Sequence, residues 1–479
     1  MDQSVTLEAE ATRLSDVEDF YADTAGHFAQ LADGLRHEVQ TLLSESPLRE
    51  KLGEDVDRFA HVRRLTPAPL NYREWQCLLH EYRVLVHRKA NAANELSHVA
   101  RIYSSMEEFW QDADAQERGE SHHTYWDTYE HGRRRRLEAV FARSYGSSAA
   151  LLLNSGMSGI AVVTGMLNLK TGDSILTGDR CYFETSDYLA RFVSQTGIDV
   201  IRVSVNEPKR ITDTLRQKRP ALAIFETITN VAGVPVARDW DEWLAASPST
   251  FFLIDNSVQS HLTRWFEILP EDPRLLVLES GTKYLTEECM VGVLYGHAHA
   301  VERARDYARS TGQQLQEKAF NYLCEEQIRT AGRKLATHSR NVAAVIEELK
   351  PFASLFSFIR TLDTSAADEP GLDAVFRNGR GALIFAALKS REAGSDNLAK
   401  LHRRLLVRWR ELTLMSGIEL HVRAGFGWNQ TSARAYESGR LNQPDAPCFI
   451  RMSVGCEPVE AVRTIALALG QAARDVMHR

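Results

Sequence analysis

The strongest constraint on the fold lies between residues 145 and 295. There, short apolar runs alternate with longer stretches of mixed character. The runs are AALLL (149–153), DSILTG (173–178), DVIRVSV (199–205), ALAIF (221–225), TFFLID (250–255) and LLVLES (275–280). Each is rich in aliphatic or β-branched residues and closes on a polar or glycine turn. Such runs suit strands buried on both faces, and the gaps between them suit crossover helices. The expected fold is therefore α/β, with a mostly parallel sheet between helices. In such sheets ligands bind beyond the carboxyl ends of the strands. The residues directly after each run are the ones to read for function.

The flanks read differently. Residues 1–120 carry helical periodicity, with Phe20, Phe28, Leu31 and Leu35 near helical spacing, and show no strand signal. From about residue 330, amphipathic helices mix with the strand-like GALIFAAL, IELHV and CFIRMSV, and the chain closes on a helix. The expected division is an N-terminal helical extension (1–120), a large α/β domain (121–328) and a smaller α/β domain (329–479). A net charge of −7 gives no pull toward nucleic acid or anionic lipid. Cys77, Cys181, Cys289, Cys324, Cys448 and Cys456 form no CxxC pair. They point to neither a zinc knuckle nor a redox motif, and they fit a reducing cytoplasm. The acidic N-terminus has no apolar core of a signal peptide. The uncharged stretch 147–169 is broken by Asn154, Ser155, Gly156 and Gly159, which argues against a membrane span.

At the strand ends, Asn154-Ser155-Gly156-Met157 opens an apolar helix and offers free backbone N–H groups, as an anion site does. Taken alone it also suits a tight turn into a buried helix. Asp255-Asn256-Ser257 puts a carboxylate where burial is costly without a partner. No ligand spacing there supports a metal, and none is expected. Glu226 and Asn230 follow the fourth run, and Tyr182 and Tyr188 stand in GDRCYFETSDY. The last run ends on Ser280-Gly281-Thr282-Lys283. A solvated lysine explains that end by itself. Together, however, the ends supply an anion cradle, an aromatic ring, a buried acid and a hydroxyl-flanked amine. Pyridoxal phosphate (PLP) needs its phosphate held, its ring stacked, its ring nitrogen paired with an acid and its aldehyde met by a lysine.

At these residues the sequence resembles the cystathionine γ-synthase/γ-lyase family of Cys/Met-metabolism PLP enzymes. NSGMSGI resembles its Ser-Gly-Met phosphate turn, GDRCYFET its Tyr-Gly-Gly-Thr segment, and FETITN its Glu-Ser-Pro-Thr-Asn. IDNS is similar to Asp-Asn-Thr, SGTKYL to Ser-Ala-Thr-Lys-Tyr, and IRMSVGCEPVEAV to the closing Ile-Arg-Leu-Ser-Val-Gly-Ile-Glu. The resemblance covers roughly residues 125–479 and implies an aspartate aminotransferase-like, fold-type I transferase with a seven-stranded type of sheet. It implies PLP as cofactor and Lys283 as the Schiff-base lysine. Gly156, Met157, Ser257, Ser280 and Thr282 would bind the cofactor, Asp255 its ring nitrogen, and Tyr182 would stack on it and exchange protons. Asn230 and Arg451 would bind substrate.

The implied reaction is γ-elimination from a γ-substituted L-amino acid through a vinylglycine-type ketimine, in specialised amino-acid metabolism. The alternatives are γ-replacement by a second nucleophile and a non-catalytic interaction protein on the same fold. A homodimer or homotetramer with active sites at the dimer interface is also implied. Four features depart from the family. Its Tyr-Ser-Arg phosphate contact from the neighbouring subunit is unclear in HHTYWDTYEHGRRRRLE, where Tyr125 and Arg133 are candidates and a solvated arginine run is the alternative. Its Gly-rich loop with a histidine after the lysine is replaced by TEECMVG, and its Ser-Leu-Gly-Gly by RAGFGWNQT, where Trp428 and Asn429 would fill the substrate side. The helical extension is the fourth. The departures suggest an unusual substrate.

Overall fold

The computed structural model describes residues 24–44, 46–66, 69–96, 105–108, 110–111, 132–229, 240–362, 373–379, 381–389, 395–423, 425–437 and 448–478. Three helices come first: α1 (Thr24–Leu42), α2 (Arg49–Leu65) and α3 (Tyr72–Leu96). Helix α4 (Gly132–Tyr145) leads into a seven-stranded sheet. In chain order this part contains β1 (Ala149–Leu153), α5 (Gly156–Met166), β2 (Ser174–Gly178), α6 (Phe183–Thr196), β3 (Asp199–Val203) and α7 (Pro208–Lys218). It continues with β4 (Leu222–Glu226), α8 (Trp240–Ala246), β5 (Phe251–Asp255), β6 (Leu275–Ser280), β7 (Gly292–Gly296) and α9 (Ala298–Ser310).

All six apolar runs are strands. The order across the sheet is β1-β7-β6-β5-β4-β2-β3, and β7 alone runs antiparallel to its neighbours. The β7 sequence, GVLYG, was not among the expected strands. Alternation along each strand feeds two cores, because successive side chains leave opposite faces. On β5, Phe252 and Ile254 join Phe141, Trp240 and Trp243 of α4 and α8, while Phe251 and Leu253 join Val163, Leu189 and Ala304 of α5, α6 and α9. Both faces are covered, so the strands read as continuous apolar runs.

A second sheet of five strands, in the order β10-β11-β12-β9-β8, follows helix α10 (Ala331–Leu349). Its strands are β8 (Phe356–Thr361), β9 (Leu383–Leu388), β10 (His421–Val422), β11 (Ser432–Tyr436) and β12 (Phe449–Ser453), with helices α11 (Ser395–Met415) and α12 (Val459–Met477). On β12, Ile450 and Met452 enter the core formed with α10, α11 and α12, and Phe449 faces the other way, toward Tyr284 and Val258. Arg451 shares the face of Phe449, and this alternation aims it at the first sheet.

The N-terminal helices share an apolar core of their own, with Phe28, Leu35, Val56, Trp75, Leu78 and Val86, and it reaches Cys324. They are pinned by a buried ion pair. Lys89 Nζ lies 2.6 Å from Glu38 Oε2 and also donates to the Leu323 carbonyl at 3.2 Å. Glu38 Oε1 accepts the Glu325 N–H at 2.7 Å. Burial pushes the Glu38 pKa up, but Lys89 and Arg133 outweigh it and hold the carboxyl below its ordinary value. Removing one partner strands the other in the interior. Lys89→Met is expected to cost about 3–5 kcal/mol in chemical denaturation, and adding Glu38→Leu to recover much of that loss.

Candidate active site

A cavity of about 910 Å3 opens at the carboxyl ends of the strands. Gly156, Met157, Tyr182, Asp255, Ser257, Ser280, Thr282, Lys283 and Arg451 all line it. These residues come from five separate segments. Asn230 and Tyr125 lie outside the described residues.

Local structure explains each placement. Ser155 is extended (φ −166°) and caps α5 by accepting the Ser158 N–H at 3.0 Å. The Gly156 and Met157 N–H groups therefore sit in the first turn of an eleven-residue helix, where the dipole favours an anion. Strand β7 starts beneath this turn at Gly292. A Cβ there would stand 2.1 Å from the Ser155 carbonyl oxygen, so no larger residue fits. At the end of β5, the Asp255 Oδ1 accepts the Ser257 N–H at 3.0 Å, and the Ser257 hydroxyl accepts the Ser280 N–H at 2.9 Å. The strand ends β5 and β6 are thereby tied together. Asn256, fully buried, fixes the same corner: its amide donates to the Tyr145 hydroxyl and the Thr263 carbonyl, both at 2.8 Å. The Val291 N–H donates to the Thr282 hydroxyl at 3.2 Å.

Lys283 lies in the short helix Gly281–Tyr284 directly after β6. Its Nζ stands 5.1 Å from the ring centroid of Phe426, and the guanidinium carbon of Arg451 stands 5.3 Å from the same ring and 5.0 Å from that of Tyr436. Gly427 (φ +74°) lets the Phe426 loop lie against the Lys283 backbone, since a Cβ there would be 2.3 Å from the Lys283 carbonyl oxygen. Burial and the nearby Arg451 charge lower the Lys283 pKa, against smaller opposing pulls from Glu184 and Asp255. Burial raises the Asp255 pKa, with the Ser257 hydrogen bonds opposing it. Burial and Glu184 raise the Tyr182 pKa, so its phenol holds its proton at neutral pH. The Glu226 carboxylate accepts the Tyr182 backbone N–H and fixes the ring's starting point.

Three placements differ from expectation. The arginine run is only half solvated: Arg136 is exposed, but Arg134 is 1% exposed, and Arg133 lies 3.5 Å from Glu38 and donates to the Leu323 carbonyl at 3.3 Å. Trp428 and Asn429 do not line the cavity. Trp428 lies under the Arg423 guanidinium at 4.7 Å, and Phe426, Tyr436 and Arg434 stand on the wall instead. The post-lysine segment also has a different use. Glu287 and Glu288 pair with Arg83 of α3, and Glu288 with His87. They serve the N-terminal helices, while Met290 reaches the cavity. Phe426 and Tyr436 carried no motif signal, since apolar residues on strands and loops usually mean core.

The chain belongs to the Cys/Met metabolism PLP-dependent enzyme family, whose model matches residues 83–465. Its architecture is that of the fold-type I PLP enzymes. Over 168 residues it is 29% identical to a cystathionine beta-lyase of Neurospora crassa. That match covers 34% of this chain and 35% of the relative, so the chain spans about a third of the length of the curated relative it matches. Two crystal structures of cystathionine gamma synthase from Xanthomonas oryzae pv. oryzae share the fold with TM-scores of 0.60. One is in complex with aminoacrylate and cysteine and the other with cystathionine; their identities are 18% and 19%, and each comparison covers 72% of this chain and 86% of that one.

The residues present fit the family's cofactor. A helix N-terminus and three hydroxyls can take a phosphate, and a desolvated carboxylate on β5 gains from a cationic ring nitrogen. The lowered amine of Lys283 is suited to attack an aldehyde, since only the unprotonated form is a nucleophile. Because the Arg451 charge helps to depress this amine, Arg451→Gln should raise its pKa. In cofactor-free protein, the pH profile of Lys283 labelling by an amine reagent, read by mass spectrometry, would shift upward. An unmoved profile would leave burial as the sole cause.

Proposed function

We propose that the protein is a PLP-dependent lyase that acts by γ-elimination on a γ-substituted L-amino acid. The observation that carries this reading is the shared position of Lys283 and Arg451 about one Phe426 ring, in a cavity that also holds Asp255 and Tyr182. An amine base and a carboxylate clamp are neighbours there. When bound, PLP supplies an aldehyde for amines and a cationic ring that accepts electrons from the substrate's α-carbon.

The chain's own groups divide the remaining work. The Arg451 guanidinium, 3% exposed, holds the substrate α-carboxylate with its planar fork. Asn230 assists at the carboxylate. Lys283 would hold the cofactor, and its free amine would remove the α-proton and later return a proton. The raised pKa of Tyr182 makes its phenol a donor, suited to protonating a departing γ-group rather than to taking a proton. Gly156, Met157, Ser257, Ser280 and Thr282 hold phosphate, and Asp255 keeps the ring nitrogen protonated. Tyr125 and Arg133 would have reached a neighbouring subunit's phosphate. The buried pair of Arg133 with Glu38 weighs against that role for Arg133.

Replacement at the γ-carbon is the second reading, favoured by one observation: 910 Å3 is near the upper range for small-molecule pockets and leaves room for a second nucleophile. We also read the protein as a cytoplasmic homodimer or homotetramer with active sites at the dimer interface. The free single cysteines support the compartment.

Borohydride reduction of the holoenzyme should fix the cofactor's mass on the peptide carrying Lys283, and Lys283→Ala should remove both that label and all turnover. Retained turnover would sink the assignment. A screen of γ-substituted amino acids then separates the reactions. Elimination releases ammonia and a 2-oxo acid, whereas replacement retains the amino group. Cystathionine turned over as fast as any other substrate would remove the case for an unusual one.

A further inference from the structure

A second cavity, of about 90 Å3, lies behind the first and shares no lining residue with it. It is enclosed by α1 and α3 of the N-terminal helices, by Tyr284–Glu288 and by α10. One wall is apolar, with Phe28, Leu31, Trp75, Leu79 and Val86. The other wall is charged. Arg83, Arg333, Lys334 and Arg340 face Glu287 and Glu288, so cations outnumber anions four to two. Both glutamates are engaged by Arg83, and Arg333 donates to the Gln30 side-chain oxygen at 2.6 Å.

Lys334 stands apart. Among the described residues no carboxylate lies within 4.0 Å of its ammonium. Burial pulls its pKa down to about 8, which still leaves it charged at pH 7. A partly buried cation with no carboxylate beside it favours an anionic ligand. Nearby, the buried Gln327 Oε1 accepts no hydrogen bond. A missing anion and a missing donor thus face the same apolar wall.

The geometry points to a binding site for a small aliphatic hydroxy- or amino-carboxylate in this cavity, with Lys334 as its counter-ion and Gln327 as acceptor for its hydroxyl or ammonium. The small volume suits a small molecule, and the apolar wall takes a short branched chain. The floor of the site is the segment that continues from Lys283. Its Glu287 also accepts the Asn429 N–H from the loop that carries Phe426. A ligand here would therefore touch the backbone that presents the reactive lysine, without entering the active site. The site stands whether or not the proposed reaction is the right one.

The test is calorimetric titration of the holoenzyme with 2-hydroxy-3-methylbutanoate, a hydroxy acid without the amine needed for turnover. Wild type should bind it at millimolar concentration or below, and Arg451→Gln, which removes the active-site carboxylate clamp, should bind it equally well. Lys334→Met should weaken binding by about tenfold or more, the loss of one charge-assisted contact. Leu79→Trp, which fills the cavity from its apolar side, should weaken it similarly and serves if Lys334→Met does not fold. Equal binding by the Lys334 and Leu79 variants, loss of binding in Arg451→Gln, or no binding by wild type would each overturn the proposal.

Discussion

The structure turns on the cost of placing charge at the ends of strands whose interiors are wholly apolar. Asp255, Lys283 and Arg451 each follow or interrupt a run of buried residues, and each is desolvated. Such groups persist where they are paired or where a ligand completes them. The pKa directions express that incompleteness. Asp255 is pushed toward its neutral form and Lys283 toward its own, each favoured by burial over the charged state. A phosphate-bearing cationic ring with an aldehyde would answer Asp255 and Lys283, and a substrate carboxylate would answer Arg451. The same groups make the site reactive and make it demand its cofactor.

Positioning these groups depends on the second sheet as much as the first. Period-two alternation on β12 sends Ile450 and Met452 into a helix-covered core and leaves Arg451 facing Lys283. The loop with Phe426 sits close only because Gly427 adopts a positive φ against the Lys283 carbonyl. Glu287 then adds a third contributor. It accepts the Asn429 N–H of that loop and pairs with Arg83 of α3. The N-terminal helices therefore bear on the segment that follows Lys283.

Much of this was legible in the sequence because it rests on short-range rules. Strands buried on both faces announce themselves as apolar runs, as β1, β2, β4, β5 and β6 do, whereas the edge strand β3 is only partly buried and carries Asp199 and Arg202. Their polar ends could be listed without knowing the topology. What escaped depends on pairing across distance. Strand β7 is a five-residue segment with glycine at both ends, closer in look to a loop, and it is a strand because β1 and β6 flank it. Phe426 and Tyr436 look like ordinary core residues until Lys283 and Arg451 are seen around them. The arginine run leaves a phosphate role and a solvated helix start open in sequence, because the partner of Arg133, Glu38, is nearly a hundred residues away. Trp428 was placed on the substrate side by its position in a divergent loop, but the turn at Gly427 carries it elsewhere.

The segment after Lys283 shows how divergence can mislead. Its sequence departs from the family directly beside Lys283, which suggests a changed substrate wall. In the fold, Tyr284 is buried with its hydroxyl on the Val258 carbonyl at 2.9 Å, and it directs the next four residues away from the cofactor cavity. Leu285, Thr286, Glu287 and Glu288 consequently meet the N-terminal helices, and Met290 brings the chain back. The divergence of this segment thus goes with its contacts to α1 and α3. Differences in substrate are better sought at Phe426, Arg434 and Tyr436, whose side chains share the cavity with Arg451.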